Sequence, residues 1–158
     1  MINHDHLLEV AGELATQRGQ GAPRQARLRR SISTSYYAAF HRLVAGATDL
    51  LIGQAERGSE RYALVYRSFE HRHMLEACKK ISPDASRGAE IRRCASLFKE
   101  LQNARHDADY NPGKRIAMLD AQSALAKARQ AIDAIAAAPD QDRRFFLTFL
   151  LAKSRSAP

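Results

Sequence analysis

Apolar positions return at helical intervals along almost the whole chain, and no segment shows sustained apolar/polar alternation closed by an Asn-Gly or Asp-Gly turn. The first periodic stretch, residues 3–18, places Leu7, Leu8, Val10, Ala11 and Leu14 on one broad face. Asn3 stands where a helix cap belongs, and Gly19-Gln20-Gly21-Ala22-Pro23 reads as the stop. Residues 24–52 carry two stripes, one of Leu28, Ile32, Ala39, Leu43 and Leu50 and another of Tyr37, Phe40, Val44 and Leu51, the mark of a central helix packed on two sides. A loop at residues 53–59 leads into a third helix over residues 60–80 that has room for a bend. It carries Leu64, Val65, Phe69, Met74, Leu75 and Cys78, and Pro83 closes it.

The fourth helix is expected over residues 86–108, with Ile91, Cys94, Ala95, Phe98 and Leu101 inward, and it must end before Asn111-Pro112-Gly113. Over residues 114–138, Met118, Ala121, Leu125, Ala128, Ile132 and Ile135 alternate in steps of three and four, a narrow packing seam. Pro139 and Asp140 open a final short helix containing Phe145, Phe146, Phe149 and Leu150. Short connections favour antiparallel neighbours. The predicted fold is therefore all-α, an up-and-down four-helix bundle with additional terminal helices, in a single domain over residues 1–158.

Composition agrees with one self-sufficient core: 45% of the 158 residues are hydrophobic. The two cysteines, Cys78 and Cys94, sit inside apolar-periodic stretches, so they read as buried thiols and not as a disulfide scaffold. The N-terminus has no basic leader followed by an apolar run, and no apolar stretch approaches the roughly 20 residues that span a bilayer. A soluble, cytoplasmic protein with no membrane association is expected. The formal charge of +8, with arginine dominant, favours an anionic partner, and ordinary surface charge is the competing reading. The excess is spread thinly except for one cluster, Arg24, Arg27, Arg29 and Arg30.

Standard catalytic signatures are absent: there is no glycine-rich phosphate loop, no Gly-x-Ser-x-Gly elbow and no CxxC pair. His4-x-His6 and His71-x-His73 have the wrong spacing for a helical metal pair, because residues two apart point in different directions. Neither a metal nor a cofactor is expected. His41 reads as a partly buried histidine whose nitrogens are satisfied by neighbours.

Two segments carry a family resemblance. Arg29-Arg30-Ser31-Ile32-Ser33-Thr34-Ser35-Tyr36-Tyr37-Ala38-Ala39-Phe40-His41 resembles the signature helix of prokaryotic HEPN proteins, in which an arginine-led run reaches a Tyr-Tyr-Ala-x-Phe-His stretch. Arg105-His106-Asp107-Ala108-Asp109-Tyr110 is similar to the Arg-x-x-Ala-Asp-Tyr ending of one HEPN subgroup. With helix order the resemblance covers residues 7–151, though only these two segments are sharp. It implies a homodimer whose fourth helices approach across a cleft that takes RNA or a nucleotide, in a ribonuclease-type toxin or an antiviral component. A cognate antitoxin or a nucleotidyltransferase is the implied protein partner. The site residues it implies are Arg105, His106 and Tyr110 for catalysis, and Arg105, Asp109, Tyr37 and His41 for binding.

The sequence departs from the ribonuclease pattern, in which an arginine is followed after four to six residues by histidine. Tyr110 occupies that place, and no histidine follows His106. A tyrosine hydroxyl, ordinarily titrating at about 10, is a poor general base at neutral pH. Arg67 and His73 satisfy the bare spacing but fall in the third helical segment, and with arginine this common such a match carries no signal.

Apart from any family, Arg105 and Asp109 are four apart on a helix and fit a surface ion pair, with Tyr110 packing and the chain leaving the helix at Pro112. Read functionally, Arg105 holds a phosphate, His106 is the nearest titratable group and Tyr110 stacks on a base. Tyr36, Tyr37 and His41 divide in the same way between core and cleft border. The alternative to nucleic-acid binding is a non-catalytic helical interaction module.

Overall fold

The structure, a computed structural model, describes residues 1–152; the last residues of the predicted domain, 153–158, lie outside the described residues. Seven α-helices and no strand occur among the described residues: α1 (His4–Thr16), α2 (Gly21–Ile52), α3 (Glu60–Arg67), α4 (His71–Ile81), α5 (Ala89–Tyr110), α6 (Met118–Ala137) and α7 (Asp140–Leu151). A 3-10 turn at Gln54–Glu56 follows α2. Helix α2 is the axis of the domain and packs against α1, α3, α5, α6 and α7, which explains its two apolar stripes.

The first helix is capped as its sequence predicts, the Asn3 side chain accepting the Asp5 amide at 2.9 Å. Helix α2 begins three residues earlier than the proline suggests. Pro23 lies inside its first turn, where a missing N–H costs nothing because that donor has no intrahelical partner. The expected third helix is two helices broken at residues 68–70, and the break lets Phe69 turn inward to 7% exposure. Helix α5 starts at Ala89, not residue 86, and runs on to Tyr110. Helix α6 starts only at Met118. Val10, Leu51, Leu64 and Met118, assigned inward by periodicity, are exposed, since each lies where its helix has no neighbour.

The core joins Tyr36, Phe40, Leu43, Val44, Met74, Ile91, Phe98, Leu101, Ile135, Phe146 and Leu150. Both thiols, Cys78 and Cys94, are free and buried. Helix α6 meets the rest through small side chains, with Ala121, Ala124, Ala128, Ala131 and Ala134 all buried, and so lies close against α5 and α2. Buried hydroxyls are paired: Ser31 Oγ donates to the Ala11 carbonyl at 2.7 Å and ties α2 to α1, while Ser35 and Thr48 bond back within α2. The aromatic segment of α7 spends its apolar face internally, burying Phe146, Leu147 and Leu150 and half-burying Phe145 and Phe149.

The basic cluster near the start of α2 has a structural duty that periodicity does not reveal. Arg24 donates to the Ala15 and Gln17 carbonyls at 2.9 and 2.6 Å, closing the C-terminal end of α1. Arg27 donates to the Arg18 carbonyl at 3.1 Å. Arg29 closes α5, donating to the carbonyls of Ala108 at 2.8 Å and Asn111 at 3.0 Å and also to that of Lys114. Gln25 exchanges two hydrogen bonds with the Ile116 backbone, at 2.8 and 2.9 Å. The connection between α5 and α6 is thereby strapped across the first turns of α2. Helix C-termini leave unpaired carbonyls and a partial negative charge, and a guanidinium answers both.

Candidate functional site

The two segments that carry the resemblance meet in space. Near the end of α5, Arg105 Nη2 donates to the Tyr37 hydroxyl at 3.1 Å. Its Nε lies 2.9 Å from Asp109 Oδ2, close enough for an ion pair, yet it is buried and not aligned as a hydrogen-bond donor. Ser33 Oγ donates to the same carboxylate oxygen at 3.1 Å. The guanidinium carbon stands 5.6 Å from the ring centres of Tyr36, Tyr37 and Tyr110, so three aromatic rings surround one cation.

This geometry corrects the surface-pair reading of Arg105 and Asp109. Their side chains are only 15% and 25% exposed, because the tyrosines wall the pair off from water. The charges of such a pair are less screened than those of an exposed one, and their desolvation opposes the stronger attraction. Tyr110 does not pack into the core; it remains 63% exposed, with one face toward Arg105 and its ring centre 5.2 Å from that of His106. His106 is exposed beside it.

His41 stands apart from Arg105, between the Tyr66 and Tyr37 rings at centroid distances of 5.9 and 6.0 Å. Burial, followed by the nearby His71, lowers its pKa, so the ring is neutral at neutral pH. Burial raises that of Tyr66, which stays protonated, and its hydroxyl shares a hydrogen bond with His41 Nδ1 at 2.7 Å. The imidazole is partly buried as expected, with its Nδ1 hydrogen-bonded to Tyr66.

Sequence reasoning weighed His71 only as half of a misspaced metal pair and missed its contact with Tyr36. Its ring stacks on Phe40 at 4.3 Å, and its Nδ1 lies 2.6 Å from the hydroxyl of the fully buried Tyr36. Burial pushes the Tyr36 hydroxyl far above its ordinary range, with Arg105 opposing, while burial and then Arg105 lower the His71 pKa. A protonated phenol and a neutral imidazole share this hydrogen bond, and the imidazole tautomer sets which of the two donates. His73 turns the other way, its Nε2 meeting the Ala152 carbonyl at 3.1 Å, so the two histidines of that pair diverge as their spacing requires. No sequence signal marked this place for His71, since the break between α3 and α4 that precedes it is not legible in the periodicity.

An open groove lies outside this cluster, lined by Arg27, Arg29, Arg30, Tyr37, Asp109 and Tyr110. Arg105 is behind Tyr37 and Asp109 and not on the groove wall, and its Nη1 makes no hydrogen bond among the described residues. Among the described residues, no group of three histidine, cysteine or acidic side chains is placed to hold a metal ion, and no helix is long and apolar enough to cross a membrane.

Comparison with protein-family models, curated proteins and solved structures gives no match for this chain.

Proposed function

We propose that this chain is a HEPN-like domain, an up-and-down four-helix bundle with additional helices, that acts as a homodimer and binds RNA or a nucleotide beside Tyr37, Arg105, Asp109 and Tyr110. The observation that carries this reading is the docking of Tyr37 and Ser33, from the first resembling segment, onto Arg105 and Asp109, from the second, about seventy residues away. In the proposed role the uncommitted Nη1 of Arg105 takes a phosphate oxygen, and the exposed Tyr110 ring offers a stacking face. A ribonuclease-type toxin or antiviral component whose catalytic motif has departed, with Tyr110 in the histidine position, is the biological setting the resemblance favours.

Binding of mixed short RNAs and nucleotides, measured at two salt concentrations, tests the reading. Arg105→Ala should weaken binding by about tenfold and make the salt dependence shallower by roughly one phosphate contact. Because Arg105 also bonds Tyr37 across α2 and α5, the same substitution should cost about 1–2 kcal/mol of stability. Binding is therefore compared well below the melting transition. Loss of binding that only tracks loss of folding, or no loss at all, would return Arg105 to a structural role and favour the non-catalytic module that pairs with an antitoxin or a nucleotidyltransferase. A monomer mass by light scattering across micromolar concentrations would remove the homodimer. Tyr110→His restores the motif residue, and metal-independent RNA cleavage by that variant is the expected gain.

A further inference from the structure

The groove beside Tyr110 does not end at Arg29. A second, larger groove continues from it between the first turns of α2 and the α5–α6 connection, and Ala26 and Arg29 belong to the walls of both. The two enclose about 840 and 680 Å³, within the size range of ligand sites though open to solvent. Their combined walls carry Arg24, Arg27, Arg29, Arg30, Lys114 and Arg115 against a single carboxylate, Asp109. That carboxylate already faces the Arg105 guanidinium, at 2.9 Å. Lys114 shares its charge with Asp107 at 2.5 Å, but Arg24, Arg27 and Arg29 are bonded to neutral carbonyls and keep their full positive charge. The guanidiniums of Arg30 and Arg115 make no hydrogen bond or ion pair within the described residues.

We propose that this continuous basic track is a binding surface for the sugar-phosphate backbone of a single-stranded nucleic acid, with Arg30 and Arg115 as its direct phosphate contacts and the bonded arginines as its fixed field. The proposal rests on the reading of the Tyr37 and Tyr110 site as a nucleic-acid site, and extends it to a track that one nucleotide does not fill. Arg24 and Arg30 are six residues apart on α2, about 9 Å along its axis, and the α5–α6 connection adds further length beyond Arg24. Cations strung along a groove match a repeated phosphate, whereas one mononucleotide engages only one end. The exposed Tyr110 at one end suits an unpaired base, which a duplex does not present.

The test uses the full chain, fluorescently labelled single-stranded RNA and DNA oligonucleotides, a mononucleotide and polyglutamate, at two salt concentrations. The Arg30→Gln/Arg115→Gln double variant should keep the wild-type melting temperature, because neither side chain bonds within the fold. It should bind oligonucleotide about tenfold more weakly, with a salt slope shallower by about 1.4 for two lost single-strand phosphate contacts. Arg115→Gln alone, which lies only on the second groove, should leave mononucleotide binding unchanged, and Arg30→Lys/Arg115→Lys should restore most of the slope. Oligonucleotide affinity and slope equal to wild type would overturn the track while leaving the Tyr37 and Tyr110 site standing. Polyglutamate bound as tightly as oligonucleotide would overturn the ligand class. Failure of the wild type to bind any oligonucleotide or nucleotide would overturn both this proposal and the function it rests on.

Discussion

Arg29→Ala should lower the unfolding free energy by about 3 kcal/mol, more than any other single arginine substitution in the chain. A hydrogen bond to a charged donor is worth roughly 1.5–3 kcal/mol, and bonds sharing one guanidinium are not additive, so the total is set by about two effective bonds. Arg29 serves the Ala108 carbonyl, whose residue is only 2% exposed, and the Asn111 and Lys114 carbonyls of the connection that follows. Alanine leaves the last turn of α5 with a buried unpaired acceptor and releases the strap on α2. The effect reads out in urea denaturation as a lower midpoint at unchanged slope. Arg29→Lys should recover less than half of the loss, since one ammonium lacks the fork that reaches separate carbonyls. Arg30→Ala, exposed and unbonded, should stay within about 0.5 kcal/mol of wild type. An Arg29→Ala midpoint indistinguishable from that of Arg30→Ala would show that the capping bonds add nothing net.

The second large effect is with pH. The His41 and His71 pKa values are lowered on folding, chiefly by burial, with His71 acting on His41 and Arg105 on His71. Both imidazoles hydrogen-bond a tyrosine hydroxyl through Nδ1, and burial favours their neutral form. The unfolded chain takes up these two protons at about pH 6.5, where the folded chain does not. Their stabilising contribution is therefore complete above about pH 6.5 and is lost as the pH falls below it toward the lowered folded-state values. Two protons give a slope of at most about 2.7 kcal/mol per pH unit, and the true slope is smaller because both rings are only half-buried and partly screened by water. The released elements should be α3 and α4, which Tyr66 and His71 hold against α2. Melts between pH 7.5 and 5 compared with those of His41→Gln/His71→Gln read the effect directly: the variant, less stable at neutral pH, should lose much of the pH dependence. A wild-type midpoint that is flat across that range would refute it.

How much of this was legible in the residues depends on the range of the forces involved. Helix content followed from apolar spacing, and the buried Leu28, Ile32, Phe40, Leu43, Phe98 and Ile135 followed from it too, because a side chain's face on a helix is fixed by its place in the repeat. The Asn3 cap is equally local. Breaks were less legible: nothing in the periodicity separates α3 from α4, since what ends α3 is Phe69 finding the core. Exposure of Val10, Leu51, Leu64 and Met118 was not legible either, since a periodic face is buried only where a neighbour covers it.

At the candidate site the sequence by itself determined which residue types were available, an arginine, a carboxylate and one tyrosine near the end of one helix and a tyrosine-bearing run in another. Only the tertiary structure decided how they are used. The meeting of Arg105 with Tyr37, of Ser33 with Asp109 and of Tyr36 with His71 joins residues far apart in the chain, and no local pattern encodes such a contact. The basic cluster shows the same division. Arg24, Arg27, Arg29 and Arg30 look alike in the sequence, yet the fold places helix ends within reach of the first three and leaves Arg30 facing solvent. The difference arises because a charge is long-ranged and unspecific, whereas a guanidinium hydrogen bond needs a carbonyl about 3 Å away in the right direction, and only packing supplies it.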